Sequence, residues 1–144
     1  MRFWDSSALV PLLVAEELSP SIRNLHKAEK GLVAWWASEV ECASAIARLE
    51  HQGGLSTSDA TEAYSRLRAL ARSWHTIEPV GAVREAAIRF LRVHDLRAAD
   101  ALQLGAAFVA SEGRPSTLGF VCLDDRLAGA AEREGFEVLD RSKL

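Results

Sequence analysis

The strongest constraint on how this chain folds is an alternation: five short apolar runs separated by longer stretches of helical periodicity. The runs lie within "RFWD" at residues 2–5, "LVAWWAS", "HTIEPV", "LGFVCLDD" and "FEVLD", each of strand length and bounded by polar or turn residues. Between them the pattern predicts seven helices. The first runs from about Ser7 to Ala15, with Pro11 tolerated only in its opening turn. The second, "SPSIRNLHKAEKG", is capped by Ser19 with Pro20 at its first position and stops at Gly31. The third spans about Ser38 to His51, before Gly53-Gly54. The fourth opens at Ser56 or Ser58 and sets Ala63, Leu67 and Leu70 on one face. "GAVREAAIRFLRVHD", "RAADALQLGAAFVASEG" and "RLAGAAEREG" supply the rest. Such a succession builds an α/β fold, a parallel sheet covered by helices on both faces. Its chemistry gathers outside the carboxyl ends of the strands. Asp5 and Asp124 both stand at such ends.

A chain of 144 residues is one domain long, 1–144, and large enough to bury a core. The apolar stretch from Ala8 to Ala15 is interrupted by Pro11 and too short to span a bilayer. Asp5 also sits where a secretory leader would carry positive charge, so neither a membrane span nor a leader is expected. Cys42 and Cys122 lack both metal-type spacing and a disulfide framework, which points to a reducing cytoplasm. His26, His51, His75 and His94 include no i,i+3 or i,i+4 pair, which argues against zinc. The net charge of −3 argues against non-specific nucleic-acid binding by the whole surface. Arginines nevertheless concentrate in one segment: Arg66, Arg68, Arg72, Arg84, Arg89, Arg92 and Arg97 face only Glu78, Glu85 and Asp95. Their planar forks suit phosphate, and most read equally well as a solvated helix face.

The acids carry the chemistry. Asp5 has two readings: a helix cap alongside Ser6 and Ser7, or one member of a carboxylate set drawn from distant parts of the chain. The segment Ala98 to Ala110 is apolar nearly all round and holds only two polar side chains, Asp100 and Gln103. An ionised Asp100 near its start needs a partner, hydrogen bonds or a metal. Arg97, three residues earlier, offers an ion pair. "GFVCLDDRL" repeats the opening pattern, and spacing does not choose between Asp124 and Asp125 as the structural acid. "ASEVECASAIARLE" offers Glu39 and Glu41, both flanking an apolar arc of Cys42, Ile46 and Leu49. Three or four such acids meeting at strand ends would repel one another unless a cation lay between them. With no Cys or His ligands at hand, an all-oxygen cluster suits Mg²⁺ or Mn²⁺, ions that serve phosphodiester hydrolysis.

At these residues the chain resembles the PIN-domain ribonucleases, and in particular the VapC-type toxins of bacterial toxin–antitoxin pairs. The likeness rests on "DSSALV", "SEVECASAIARL", "LRAADALQLGAA" and "FVCLDDRLAGAAEREGFEV", in order and at matching separations over essentially the whole chain. It implies a compact α/β/α domain with a central, mainly parallel sheet flanked by helices. It also implies a Mg²⁺- or Mn²⁺-dependent endoribonuclease acting as the toxin of a type II toxin–antitoxin pair. By this resemblance Asp5, Glu41, Asp100 and Asp124 are the catalytic, metal-holding acids. Glu41 is thereby chosen over Glu39, and Asp125 takes a capping role, while Ser6 or Ser7 caps the helix after Asp5. Ser7 matches the small hydroxyl residue that orders the site.

The partners implied are an RNA substrate approaching over the arginines of 66–97, with Arg97 balancing charge; a small antitoxin offering an arginine or lysine to the acids; and a second copy of the chain in a homodimer. One departure stands out. Cys122 replaces the Thr or Ser usual two residues before the last aspartate, so a hydroxyl's bond to the site is expected to be lost or weakened. The competing reading is a PIN-like binding module without catalysis, against which the presence of all four acids speaks. A receiver domain would need its adjacent acids early and a lysine near a late strand; here the pair is late and the lysines are Lys27, Lys30 and Lys143. Trp4, Trp35, Trp36 and Trp74 are expected in the core.

Overall fold

In the computed structural model, which describes residues 1–144, the five apolar runs form a single sheet. The strands are β1 (Arg2–Trp4), β2 (Leu32–Trp35), β3 (His75–Ile77), β4 (Gly119–Val121) and β5 (Glu137–Leu139). They lie in the order β3-β2-β1-β4-β5 and every pairing is parallel. The helices are α1 (Ser6–Leu13), α2 (Ser19–Ala28), α3 (Ser38–His51), α4 (Thr57–Ser73), α5 (Gly81–Val93), α6 (Ala98–Ala110) and α7 (Asp125–Arg133).

Side chains alternate along each strand, and this divides the core in two. Phe3, Val33, Trp35, Phe120 and Val138 pack beneath α5, α6 and α7. Trp4, Leu32, Ala34 and Val121 pack against α1 to α4 on the other face. Strand β1 is central and covered on both sides, which is why its residues read as a continuous apolar run. Phe3 and Trp4 are fully buried, and each such aromatic contributes about 2–3 kcal/mol of apolar burial.

The chain builds outward from β1 through β2 to β3, then returns to place β4 and β5 on the opposite side of β1. The direction therefore reverses between β1 and β4, where a crevice opens at the carboxyl ends. Helix α6 is seated against α5 with no room to spare. A Cβ at Gly105 would lie 2.8 Å from the carbonyl oxygen of Val83 and 3.1 Å from the amide nitrogen of Ala87. That contact fixes the helix whose first turn carries Asp100.

Two local expectations are corrected. Pro11 lies beyond the first turn of α1, which begins at Ser6; it is buried and forfeits one i→i−4 hydrogen bond. Ser19 does not cap α2. It is the first helical residue, after Leu18, and its hydroxyl accepts from the Glu16 N–H (2.8 Å) and donates to the Val14 carbonyl (3.2 Å), closing the preceding turn. Ser56 caps α4, accepting from the Asp59 N–H at 3.0 Å. No helix is long and apolar enough to cross a membrane.

Candidate active site

The crevice at the β1/β4 reversal is walled by residues from four separate elements. Asp5 follows β1 directly, and its N–H donates to the Val121 carbonyl at 3.0 Å, extending the pairing with β4. The residue is only 3% exposed. Oδ2 accepts from the Ser7 N–H (3.0 Å) and from the Ser7 hydroxyl (2.5 Å). The Ser7 oxygen in turn accepts from the Leu123 N–H at 2.9 Å, stitching the exits of β1 and β4 together. Asp5 is thus itself the cap of α1, and neither Ser6 nor Ser7 is. An N-cap must be the last extended residue before the helix, and that residue is Asp5, with ψ of 154°.

Asp124 repeats the arrangement one strand over. Its Oδ1 accepts from the Leu127 N–H at 2.9 Å, so Asp124 caps α7 and Asp125 is simply the first helical residue. The capping role expected of Asp125 therefore falls to its neighbour. At both strand ends one carboxylate oxygen serves the helix, while Asp5 Oδ1 and Asp124 Oδ2 accept no hydrogen bond from the protein.

Glu41 comes from the first turn of α3 and Asp100 from the first turn of α6. Gln103, one turn on from Asp100, is fully buried and donates its amide to Glu41 Oε2 (2.8 Å) and to the Ser38 hydroxyl (3.0 Å). This bond turns Glu41 into the crevice, whereas Glu39 is exposed on the outer side of α3. Asp100 forms no ion pair with Arg97, although the charges of Arg97 and Arg126 act on it from one side. Together Asp5, Ser6, Ser7, Glu41, Arg48, Asp100 and Asp124 line a cleft of about 560 Å³.

Crowding of acids in a half-buried place moves their proton affinities. Glu41 is raised from 4.5 to about 7, chiefly by burial; the Gln103 bond opposes this, and the nearby charges of Asp5 and Asp100 add to it. Asp5 is also raised, by burial above all and then by Asp100, against the hydrogen bonds from Ser7. Asp100 is raised by burial and by Asp124, with Arg97 and Arg126 opposing. Cys122 keeps contact with the site: its single S–H has two acceptors in range, Asp5 Oδ2 at 3.6 Å and the Asp124 carbonyl at 3.3 Å. A thiol is a weak donor, so the hydrogen bond is weakened and not lost. Burial pushes the Cys122 thiol well above its ordinary range and the Cys42 thiol up to about 12.

The donor set fits a hard divalent cation in kind, being carboxylate oxygens that gain from a positive charge among them. Its spacing is open. No three His, Cys, Asp or Glu side chains stand close enough to hold an ion directly. That geometry suits a hydrated ion held through one or two carboxylates, the usual habit of Mg²⁺.

Several residues near the cleft carried little signal in the sequence. Arg48 and Arg126 border the acids, and only the second follows an acid pair. Gln103 was legible as one of two polar side chains in an otherwise apolar helix. Of the arginine-rich segment, Arg68 and Arg97 line depressions adjoining the cleft, and Arg72 lies in a hollow beyond Arg68. Arg66 is occupied by the Leu13 carbonyl (3.1 Å) and Glu62 (3.4 Å), and Arg89 lies over the rings of Phe90 and Phe108. Three tryptophans are buried as expected, but Trp36 is 54% exposed beside the site.

No family model matches the chain, and no curated protein does. Among solved structures the crystal structure of FitAcB from Neisseria gonorrhoeae superposes with a TM-score of 0.67 at 14% sequence identity, covering 100% of both chains. The architecture is thus the PIN-like α/β/α fold: five parallel strands flanked by seven helices.

Proposed function

We propose that the protein is a metal-dependent endoribonuclease, the toxin of a toxin–antitoxin pair. The observation that carries this reading is the meeting of Asp5, Glu41, Asp100 and Asp124 in one cleft at the sheet's reversal point, three of them driven toward protonation by burial and by one another. Such a site gains most when a Mg²⁺ or Mn²⁺ ion neutralises it. A bound ion of this kind supplies a water acidified for attack on phosphorus and positive charge for the phosphoryl oxygens.

The chain's own residues do the rest. Asp5 and Asp124 offer their uncommitted oxygens from rigid helix caps, so little ordering remains to be done on binding. Gln103 holds Glu41 pointed inward through Oε2. Arg97 and Arg126 flank Asp100 and Asp124, within reach of the charge that develops on a phosphate. The partner that restrains such a toxin would place a basic side chain among the acids, and a second copy of the chain completes the assembly we envisage. The FitAcB likeness supports the fold beneath this reading.

The test is cleavage of labelled transfer RNA and ribosomal RNA fragments in Mg²⁺ and in Mn²⁺, with EDTA and Asp100→Asn as controls. Discrete products lost in both controls are expected. Identical products from both proteins, or none from either, would remove the enzyme and leave a binding module.

A further inference from the structure

The cleft is the middle of a longer depression. On one side Val40 forms a wall common to the cleft and to a groove lined by Trp36, Tyr64, Leu67 and Arg68. Arg68 and Glu39 continue that groove into a hollow that ends at Arg72. On the other side Asp100 and Asp124 are shared with a hollow bounded by Arg97 and Arg126. The order along the path is therefore cations with Glu39 among them, an aromatic and apolar wall, the acids with Arg48 beside them, and cations again. Arg68, Arg72 and Arg97 make no ion pair, and Arg126 meets only the exposed Asp95, at 3.8 Å.

Trp36 is the oddity in this path. Trp4, Trp35 and Trp74 are at most 8% exposed, while Trp36 is 54% exposed and Val40, in the first turn of α3, is 67% exposed. The Trp36 backbone is not loose: its N–H donates to the Ile77 carbonyl at 3.0 Å, extending the β2–β3 pairing. A large aromatic held open at the carboxyl end of β2, in a groove shared with the unpaired Arg68, has the chemistry of a stacking platform for unpaired bases.

We propose that a single strand of RNA crosses the acid cleft along this track and that Trp36 stacks one of its bases, setting which nucleotide lies beside the cut; this rests on the nuclease reading above. The phosphates on either side meet Arg68 and Arg72 at one end and Arg97 and Arg126 at the other. A single strand supplies the required charges by repetition. A protein segment would need acids at both ends and a base in the centre, which is the less general match.

The experiment follows tryptophan fluorescence and fluorescence anisotropy with a labelled single-stranded RNA of mixed sequence, and with the same RNA as a duplex, in EDTA and in Ca²⁺. Since the other three tryptophans are buried, quenching reports Trp36. The track predicts quenching by the single strand and not by the duplex, and about tenfold weaker binding by Trp36→Ala, largely restored in Trp36→Phe. Arg68→Gln should lower the salt slope of binding by about 0.7. Unchanged affinity and salt slope in these variants would overturn the proposal and leave the groove to a protein partner, as would an absence of RNA binding. The nuclease reading is judged separately. If Trp36→Ala binds and cleaves like the unsubstituted chain, the track fails and the nuclease stands; if the unsubstituted chain does not cleave, the nuclease reading fails first.

Discussion

Replacing Glu41 by glutamine should make the metal-free protein more stable at alkaline pH and leave it unchanged in acid. Glutamine keeps an oxygen to accept from Gln103 and removes the charge. In the folded protein Glu41 holds its proton up to about 7, against 4.5 for the free side chain. A carboxylate raised in this way contributes stability that is fully present below about pH 4.5 and lost as pH rises through about 7. The rise of about 2.5 corresponds to about 3.4 kcal/mol if the group were sealed from water. Solvent reaches part of this side chain and screens it, which leaves about 1–2 kcal/mol. Asp5 and Asp100 are raised too, so the native chain should weaken further over the same direction of pH. Urea unfolding of both proteins in EDTA, followed by circular dichroism from about pH 4 to about pH 8, measures the difference. Equal midpoints near pH 4, diverging in favour of Glu41→Gln by pH 8, are expected. A variant less stable than the native chain at pH 8 would mean that the Gln103 bond to the charged form outweighs burial and repulsion, and the electrostatic account of the cleft would be wrong.

Asp100→Asn should abolish RNA cleavage while its melting temperature in EDTA stays level or rises, because Asp100 has no ion pair to lose; marked unfolding would make it a structural acid. Gly105→Ala forces a methyl against backbone atoms of α5 and should cost about 1–3 kcal/mol, so an unchanged denaturation midpoint would show the helices free to separate. Cys122→Ser replaces a weak donor to Asp5 by a stronger one and should tighten Mg²⁺ binding several-fold by calorimetry; weaker binding would show that the larger sulfur sets the spacing. Both thiols are buried and held in the neutral form, so a thiol reagent should label neither Cys42 nor Cys122 until the chain unfolds.

The sheet was readable because its strands are short, the inner three are buried on both faces, and helical periodicity cleanly interrupts them; α3, from Ser38 to His51, falls where the pattern places it. Asp100 was readable for a related reason, since a charge in an apolar helix needs an account. The choice between Glu39 and Glu41 was not readable from periodicity. Both flank the same arc, and the deciding contact comes from Gln103, sixty-two positions away. The capping assignments failed for a local reason. Where acids and serines stand side by side, composition allows any of them to cap, and only the last extended backbone position selects Asp5 and Asp124. Trp36 was misplaced because burial was inferred from residue type, whereas its strand has ended one residue earlier, at Trp35.

The double use of Asp5 and Asp124 bears on what would happen to such a chain if its chemistry ceased to matter. Each of these two acids spends one oxygen on a helix end, and losing a cap costs about 1 kcal/mol whether or not RNA is ever cut. Selection for folding alone would therefore hold them, or replace them only by asparagine or serine. Asp100 caps nothing, Glu41 serves only as acceptor for Gln103, a task a glutamine would do as well, and in the metal-free state their charges are a burden. A lineage drifting away from catalysis would shed its acids in a definite order, the two helix-borne ones first. In a descendant chain the pair that ends β1 and precedes α7 would testify only to a fold, and Glu41 with Asp100 would be the ones to consult about activity.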